Sequence, residues 1–214
     1  MAADEFYPGA PRATATATEA KQEPARRYLL REARSEQEDL EKGRGFSRRD
    51  RPRGRREGCK IGTLFVVGDS ETVMRDSKPM ILDPLAGHPG ETKHITDPNI
   101  RETLKELAQP DGAFVVSDEG VVLSVARYID VASEDLDLPI GLGSRHMAAA
   151  SISLRTDAVA VVVSESSVVR MFDDGQLVAE IVPELWVLGG YVSRLSSPTK
   201  TRSWGAIAVT SRDE

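Results

Sequence analysis

Sulfur chemistry is almost missing from this chain, which has one cysteine, Cys59, in 214 residues. That excludes an internal disulfide and any metal site built from several cysteines, and it fits a reducing compartment. Long apolar runs are missing too. The longest, Ala158–Val163 and Leu185–Val192, fall far short of the roughly 18–20 residues that a spanning helix needs. The start, Met1-Ala2-Ala3-Asp4-Glu5, has neither a basic n-region nor an apolar h-region, so no secretory signal is expected. Together these absences predict a cytoplasmic protein with no membrane segment.

What is present reads as a soluble globular protein, 40% hydrophobic and 29% charged, of a size for one domain plus extensions. The net charge of −6 conceals an asymmetry. Residues 1–58 hold 14 Lys/Arg against 11 Asp/Glu, a net of +3, which leaves −9 for the remainder. Nucleic-acid affinity rests on neutralising phosphates, so a body this acidic is a poor general binder of DNA or RNA. To handle a polyanion it needs local cations or a metal.

Residues 1–58 combine a Thr-Ala repeat (Ala13–Thr18), a charged stretch from Glu19 to Lys42 able to form a solvated helix, and an Arg/Gly/Pro run from Arg44 to Arg56. Their few apolar residues do not offset the entropy of ordering, and the segment is expected to be a disordered, basic, low-complexity extension. The texture changes at Lys60. Ile61–Val67 is a β-rich run ended by Gly68-Asp69. Ser70–Lys78 is expected to be a short helix stopped by Pro79, and Leu82–His94, with two prolines and two glycines, a loop. Asp97-Pro98 opens a helix, with Asp as cap and Pro at the first helical position, and Ile100, Leu104 and Leu107 follow at helical spacing.

Ala113–Val116 and Val121–Ala126 form a hairpin around Ser117-Asp118-Glu119-Gly120. Arg145–Arg155 is an alanine-rich helix, and Ala158–Val163 a strand buried on both faces. Val168–Phe172 and Gln176–Ile181 pair around Asp173-Asp174-Gly175, and Trp204–Val209 either adds a strand or frays. The predicted fold class is α/β: a single layered domain with a mixed central β-sheet flanked by helices, preceded by the disordered segment. The boundaries expected are 1–58, 59–188 for the layered domain, and 189–214 for a C-terminal extension.

Two places can carry chemistry. Asp111, in Pro110-Asp111-Gly112-Ala113, presents a carboxylate at the sheet's edge, where small neighbours leave room for a ligand; a plain Asp-Gly turn is the other reading. Gly141-Leu142-Gly143-Ser144-Arg145-His146-Met147 leads into a helix whose N-terminus, with the Arg145 fork, suits phosphate. Alternatively Ser144 only caps that helix while Arg145 and His146 are solvated. His88, His94, Trp186 and Trp204 are read as surface or packing residues, and Glu134–Asp137 as a solvated acidic loop.

From Ile61 to Ile181 the chain resembles the diadenylate cyclase (DAC domain) family, most of all its soluble archaeal-type members. The resemblance rests on Asp111-Gly112-Ala113, Leu142-Gly143-Ser144-Arg145-His146, Thr156-Asp157-Ala158 and Val163-Ser164-Glu165, in the family's order and at about its spacing. It implies that residues 59–188 condense two ATP molecules into cyclic di-AMP and two pyrophosphates. The reaction takes place between two subunits of a homo-oligomer that face each other.

By the same resemblance Asp111, Arg145 and His146 are catalytic, and Asp111 and Glu165 hold Mn²⁺ or Mg²⁺. Gly112, Ala113, Gly143, Ser144 and Ser164 bind substrate, and Tyr128 stacks on adenine. Met147 stands where many members carry a second arginine, a contact that Arg127 or Arg155 is expected to replace. The alternative implied is a catalytically weakened homologue that binds ATP or cyclic di-AMP as a regulator.

Overall fold

The structure, a computed structural model, describes residues 62–131, 136, 138–166, 168–183, 190–195, 198–204 and 207–212. The basic extension, Cys59, Trp186 and most of the Glu134–Asp137 stretch lie outside these residues. The chain forms one nine-stranded sheet with helices on both faces. Its strands are β1 (Thr63–Val67), β2 (Ser77–Pro79), β3 (Ala113–Val116), β4 (Val122–Ile129), β5 (Val159–Val163), β6 (Val169–Asp173), β7 (Gln176–Pro183), β8 (Thr199–Trp204) and β9 (Ile207–Arg212). They lie in the order β2-β4-β3-β1-β5-β6-β7-β9-β8. β1 and β3 run parallel, while β5 is antiparallel to both its neighbours, so the sheet is mixed, as its alternation of strands, helices and hairpins predicts.

The helices are α1 (Ser70–Arg75), α2 (Pro98–Leu107) and α3 (Ser144–Arg155). Strand alternation sends successive side chains to opposite faces. Phe114, Val116, Val161 and Met171 face Ile100 and Leu104 of α2. Leu64, Val66, Val115, Val162 and Phe172 face Val73 of α1 and Ala149, Ala150 and Ile152 of α3. The small alanines let α3 lie close on the sheet, which fixes its N-terminus over the strand ends where Asp111 and Glu165 emerge. α2 starts as its sequence dictates: the Asp97 carboxylate accepts from the Asn99 N–H at 2.7 Å, with Pro98 at the first position. Among the described residues no helix is long and apolar enough to cross a membrane.

Two expectations change. The helix predicted over Ser70–Lys78 ends at Arg75, and Ser77–Pro79 is an edge strand instead. Ser77 Oγ donates to the Val73 carbonyl, and the buried Arg127 donates to Ser77 Oγ, Ser77 O and Met74 O, which holds the segment beside β4. Pro79 is tolerated there because the strand is an edge. The chain after 188 also contributes a complete hairpin, β8–β9, that joins the sheet through β7.

Candidate active site

The N-terminal ends of β1 and β3, the C-terminal end of β5 and the start of α3 meet along one border of the sheet. Asp111 sits in the turn that leads into β3, its side chain 75% exposed. Arg145 Nη2 donates to Asp111 Oδ1 at 2.5 Å, and Arg145 Nη1 lies 3.7 Å from Glu165 Oε1. One guanidinium is thus shared by two carboxylates from separate strand ends. A plain solvated turn at Asp111 does not describe this arrangement, and Arg145 is not merely solvated.

The local backbone explains why the carboxylate stands there. Gly112 has φ +129°, and a Cβ on it would come within 2.7 Å of Ala126 Cα. Ala126 itself has φ 49°, and the β3–β4 register shifts beside it. Such a bulge re-aims the chain at a sheet border. On the side where a side chain would project, the glycine therefore makes room for the β4 backbone. Ala113 is buried, its side chain in the core beneath α3.

At the helix start the capping position belongs to Gly143, without a side-chain cap, and Ser144 is the first helical residue. The reading of Ser144 as the cap is overturned. Gly143 and Ser144 are exposed, and a Cβ at Gly143 would meet nothing within 4 Å, so the outer side of the loop is open to a ligand. Ser164 follows β5 with its hydroxyl 2.9 Å from Ser166 Oγ, one residue before Glu165. Tyr128 is half exposed on β4, in register with Lys78 of β2 and outside the Asp111–Arg145–Glu165 contacts.

His146 turns inward. Its ring meets Phe172 edge-on at 6.1 Å, and its Nε2 lies 3.3 Å from Arg170 Nη1. Because the arginine must donate, Nε2 accepts and the ring proton is assigned to Nδ1. That Nδ1 is buried without a partner among the described residues. Burial, then the charges of Arg170, Arg194 and Arg145, lower the His146 pKa to about 4, so the ring is neutral near pH 7.

Sequence reasoning missed four residues here. Gly62 gives Arg145 its space, since a Cβ there would lie 2.7 Å from Arg145 Nη1. Arg170 and Glu180 form a buried pair across β6 and β7, Nε to Oε1 at 2.7 Å. Burial pushes the Glu180 carboxyl up, but donors on Ser193, the Arg194 backbone and Arg170 outweigh it and hold the group below the usual range. Opposite charges inside an apolar hairpin were the available signal. Arg194 is the fourth, donating to the Ile140 carbonyl at the start of the glycine loop. The expected substitutes for a second arginine lie elsewhere: Arg127 is committed beneath β2, and Arg155 stands at the far end of α3, bonded to the Asp130 carbonyl.

Among the described residues no group of three or more His, Cys, Asp or Glu side chains converges to hold a metal. Asp111 and Glu165 nevertheless make a pair of exposed oxygen donors around one cation, and this fits a hard divalent ion that draws its other ligands from phosphate and water.

Residues 53–177 match the family model DAC, described as DisA bacterial checkpoint controller nucleotide-binding. A diadenylate cyclase of Methanocaldococcus jannaschii is 49% identical over 134 residues, which are 62% of this chain and 42% of that protein. A diadenylate cyclase of Haloferax volcanii is 42% identical over 133 residues, 61% of this chain and 48% of that one. The match thus spans less than half the length of either relative. Among solved structures, a hypothetical membrane spanning protein from Bacillus cereus is 26% identical with a TM-score of 0.43, covering 55% of this chain and 54% of that one. A double mutant of DacA from Staphylococcus aureus is 25% identical with a TM-score of 0.36, covering 55% and 73%. With more than half of its residues matched to the family model, this chain belongs to the DAC family, the DisA-type nucleotide-binding family.

Proposed function

We propose that this chain is a diadenylate cyclase that condenses two ATP molecules into cyclic di-AMP and two pyrophosphates, working as a homo-oligomer in which two subunits face each other. The observation that carries the reading is the meeting of Asp111, Arg145 and Glu165 at the open start of α3. Two relatives named diadenylate cyclase support the chemistry.

In this reading each subunit holds one ATP, and each ribose 3′-hydroxyl attacks the α-phosphate of the ATP opposite. Asp111 orients and activates that hydroxyl. Arg145 turns its planar fork from the carboxylates to phosphate oxygens, and together with the N–H groups that begin α3 it stabilises the departing pyrophosphate. Ser144 and Gly143 line the phosphates on the open side of the loop. Gly112 and Ala113 add backbone beside the nucleotide, Ser164 contributes a hydroxyl to the substrate next to Glu165, and Tyr128 offers an exposed ring to adenine. His146, neutral, accepts from Arg170 through Nε2 and braces the start of α3 against β6 rather than acting as a cationic acid.

Asp111 and Glu165 would hold Mg²⁺ or Mn²⁺, which when bound neutralises phosphate charge and lowers the pKa of the attacking hydroxyl. Positioning dominates phosphoryl transfer, so the subunit arrangement is itself part of the catalyst.

The test is incubation of purified protein with ATP and Mn²⁺ or Mg²⁺, followed by chromatography for cyclic di-AMP. The wild type should make it and Asp111→Asn essentially none. Equal turnover by that variant refutes the assignment, and ATP binding without product favours the regulatory alternative. Specific activity should fall on dilution; constant activity at monomeric concentrations contradicts a shared site.

A further inference from the structure

We infer that Arg194 is a positioning residue for the nucleotide's phosphates, acting through the loop that begins α3. The inference rests on the proposed cyclase reading, and it concerns a part of the chain beyond the stretch that matches the family model.

The anchor is Glu180 on β7, 1% exposed. Its Oε1 accepts from Arg170 Nε at 2.7 Å and from the Tyr191 hydroxyl at 3.3 Å. Its Oε2 accepts from Ser193 Oγ at 2.6 Å and from the Arg194 backbone N–H at 2.9 Å. A buried carboxylate with this many donors is an acceptable interior charge, and it fixes the course of residues 191–194.

From that fixed backbone the Arg194 side chain reaches the glycine loop. Its Nη1 donates to the Ile140 carbonyl at 3.0 Å. Gly141, at φ +91°, would place a Cβ 3.1 Å from the same nitrogen, so the absence of a side chain permits the approach. Ile140 is 99% exposed and contributes no packing of its own. Leu138 and Leu142 pack against the core on either side, and the turn between them is held by the Arg194 bond. Two and three residues beyond Gly141 lie Gly143 and Ser144, where α3 begins.

The chain of contacts therefore runs from β6–β7 through Glu180 and Arg194 to the loop that would cradle phosphate. Arg194 also keeps a third guanidinium beside Arg145 and Arg170, close enough to act on His146.

The experiment compares the full wild-type chain with R194A and R194K. Hydrogen–deuterium exchange of residues 140–147 is followed without nucleotide, and kcat and KM for ATP are taken from cyclic di-AMP formation. R194A should exchange faster in the loop and raise KM about three- to tenfold, the worth of one hydrogen bond, with kcat changed less. R194K, which can still donate to the Ile140 carbonyl, should recover part of both effects. Unchanged loop exchange in R194A overturns the inference, as does faster exchange with unchanged KM in a wild-type background that turns over ATP. A wild-type chain that makes no cyclic di-AMP overturns the cyclase reading instead, and the role assigned to Arg194 falls with it.

Discussion

The two borders of the sheet at either end of α3 both gather carboxylates but have opposite prospects. At the helix start, Asp111, Glu165 and Glu180 stand among Arg145, Arg170 and Arg194. At its C-terminal end a cleft of about 660 Å³ is lined by Asp69, Asp118, Asp157, Asp173 and Asp174, with Arg155 the cation among them. Arg155 is also engaged by the Ser151 and Asp130 carbonyls. The cleft is large enough for a nucleotide, but a triphosphate there would face a group of acids in a body that already carries net negative charge. The proposed phosphate site rests on arginines at an open helix start, not on room alone.

That contrast can be broken in several ways. The largest effect is expected at the cationic end. Arg145→Ala should lower kcat/KM for ATP by about 10²–10³-fold, the usual cost of removing one preorganised charge-stabilising donor. Steady-state kinetics check this, and a change under threefold would move the phosphate site elsewhere. Next, Glu180→Ala strands Arg170 in the interior and should cost about 3–5 kcal/mol in a denaturant melt. A loss under 1 kcal/mol would show that the pair does not hold β6 and β7 to the 190–195 segment.

A smaller effect is expected from pH. His146 titrates near 4 in the folded chain against an ordinary 6.5, so between these values the unfolded chain binds a proton that the native one does not. Stability should therefore fall as pH drops from about 6.5 toward 4, and Glu180, held below its usual range, adds a loss below about 4.5. His146→Asn should flatten the slope between pH 6.5 and 5 in thermal melts; an unchanged slope would contradict a buried neutral ring. Smallest of all is Asp174→Asn in the acidic cleft. Asn suits the residue's φ of 47°, and kinetics should stay within about twofold of wild type.

Much of this was legible in the residues. Asp97-Pro98 announced the start of α2, and Ala158–Val163 the buried strand β5, because capping and apolar runs act locally. The meeting of Asp111 with Arg145, 34 positions apart, is a product of topology that no spacing rule supplies; local motifs singled out each residue, and only the family resemblance put them in one site. Ser77 and Lys78 were misread as helix because Arg127, 50 positions away from Ser77, decides the conformation there. The β8–β9 hairpin was half seen because its outer strand is polar and exposed and shows little of the alternation that marks a half-buried strand. Arg170 and Glu180 were missed because only the strand pairing sets them face to face inside the fold.

The most direct test of the cationic border is to locate Mn²⁺ with a non-reacting ATP analogue by paramagnetic broadening of backbone amide signals. Broadening should erase Gly62, Gly112 and Ser144 and spare Asp69, Asp157 and Asp174. Loss of the second set with the first left sharp would place the nucleotide in the acidic cleft and contradict the account.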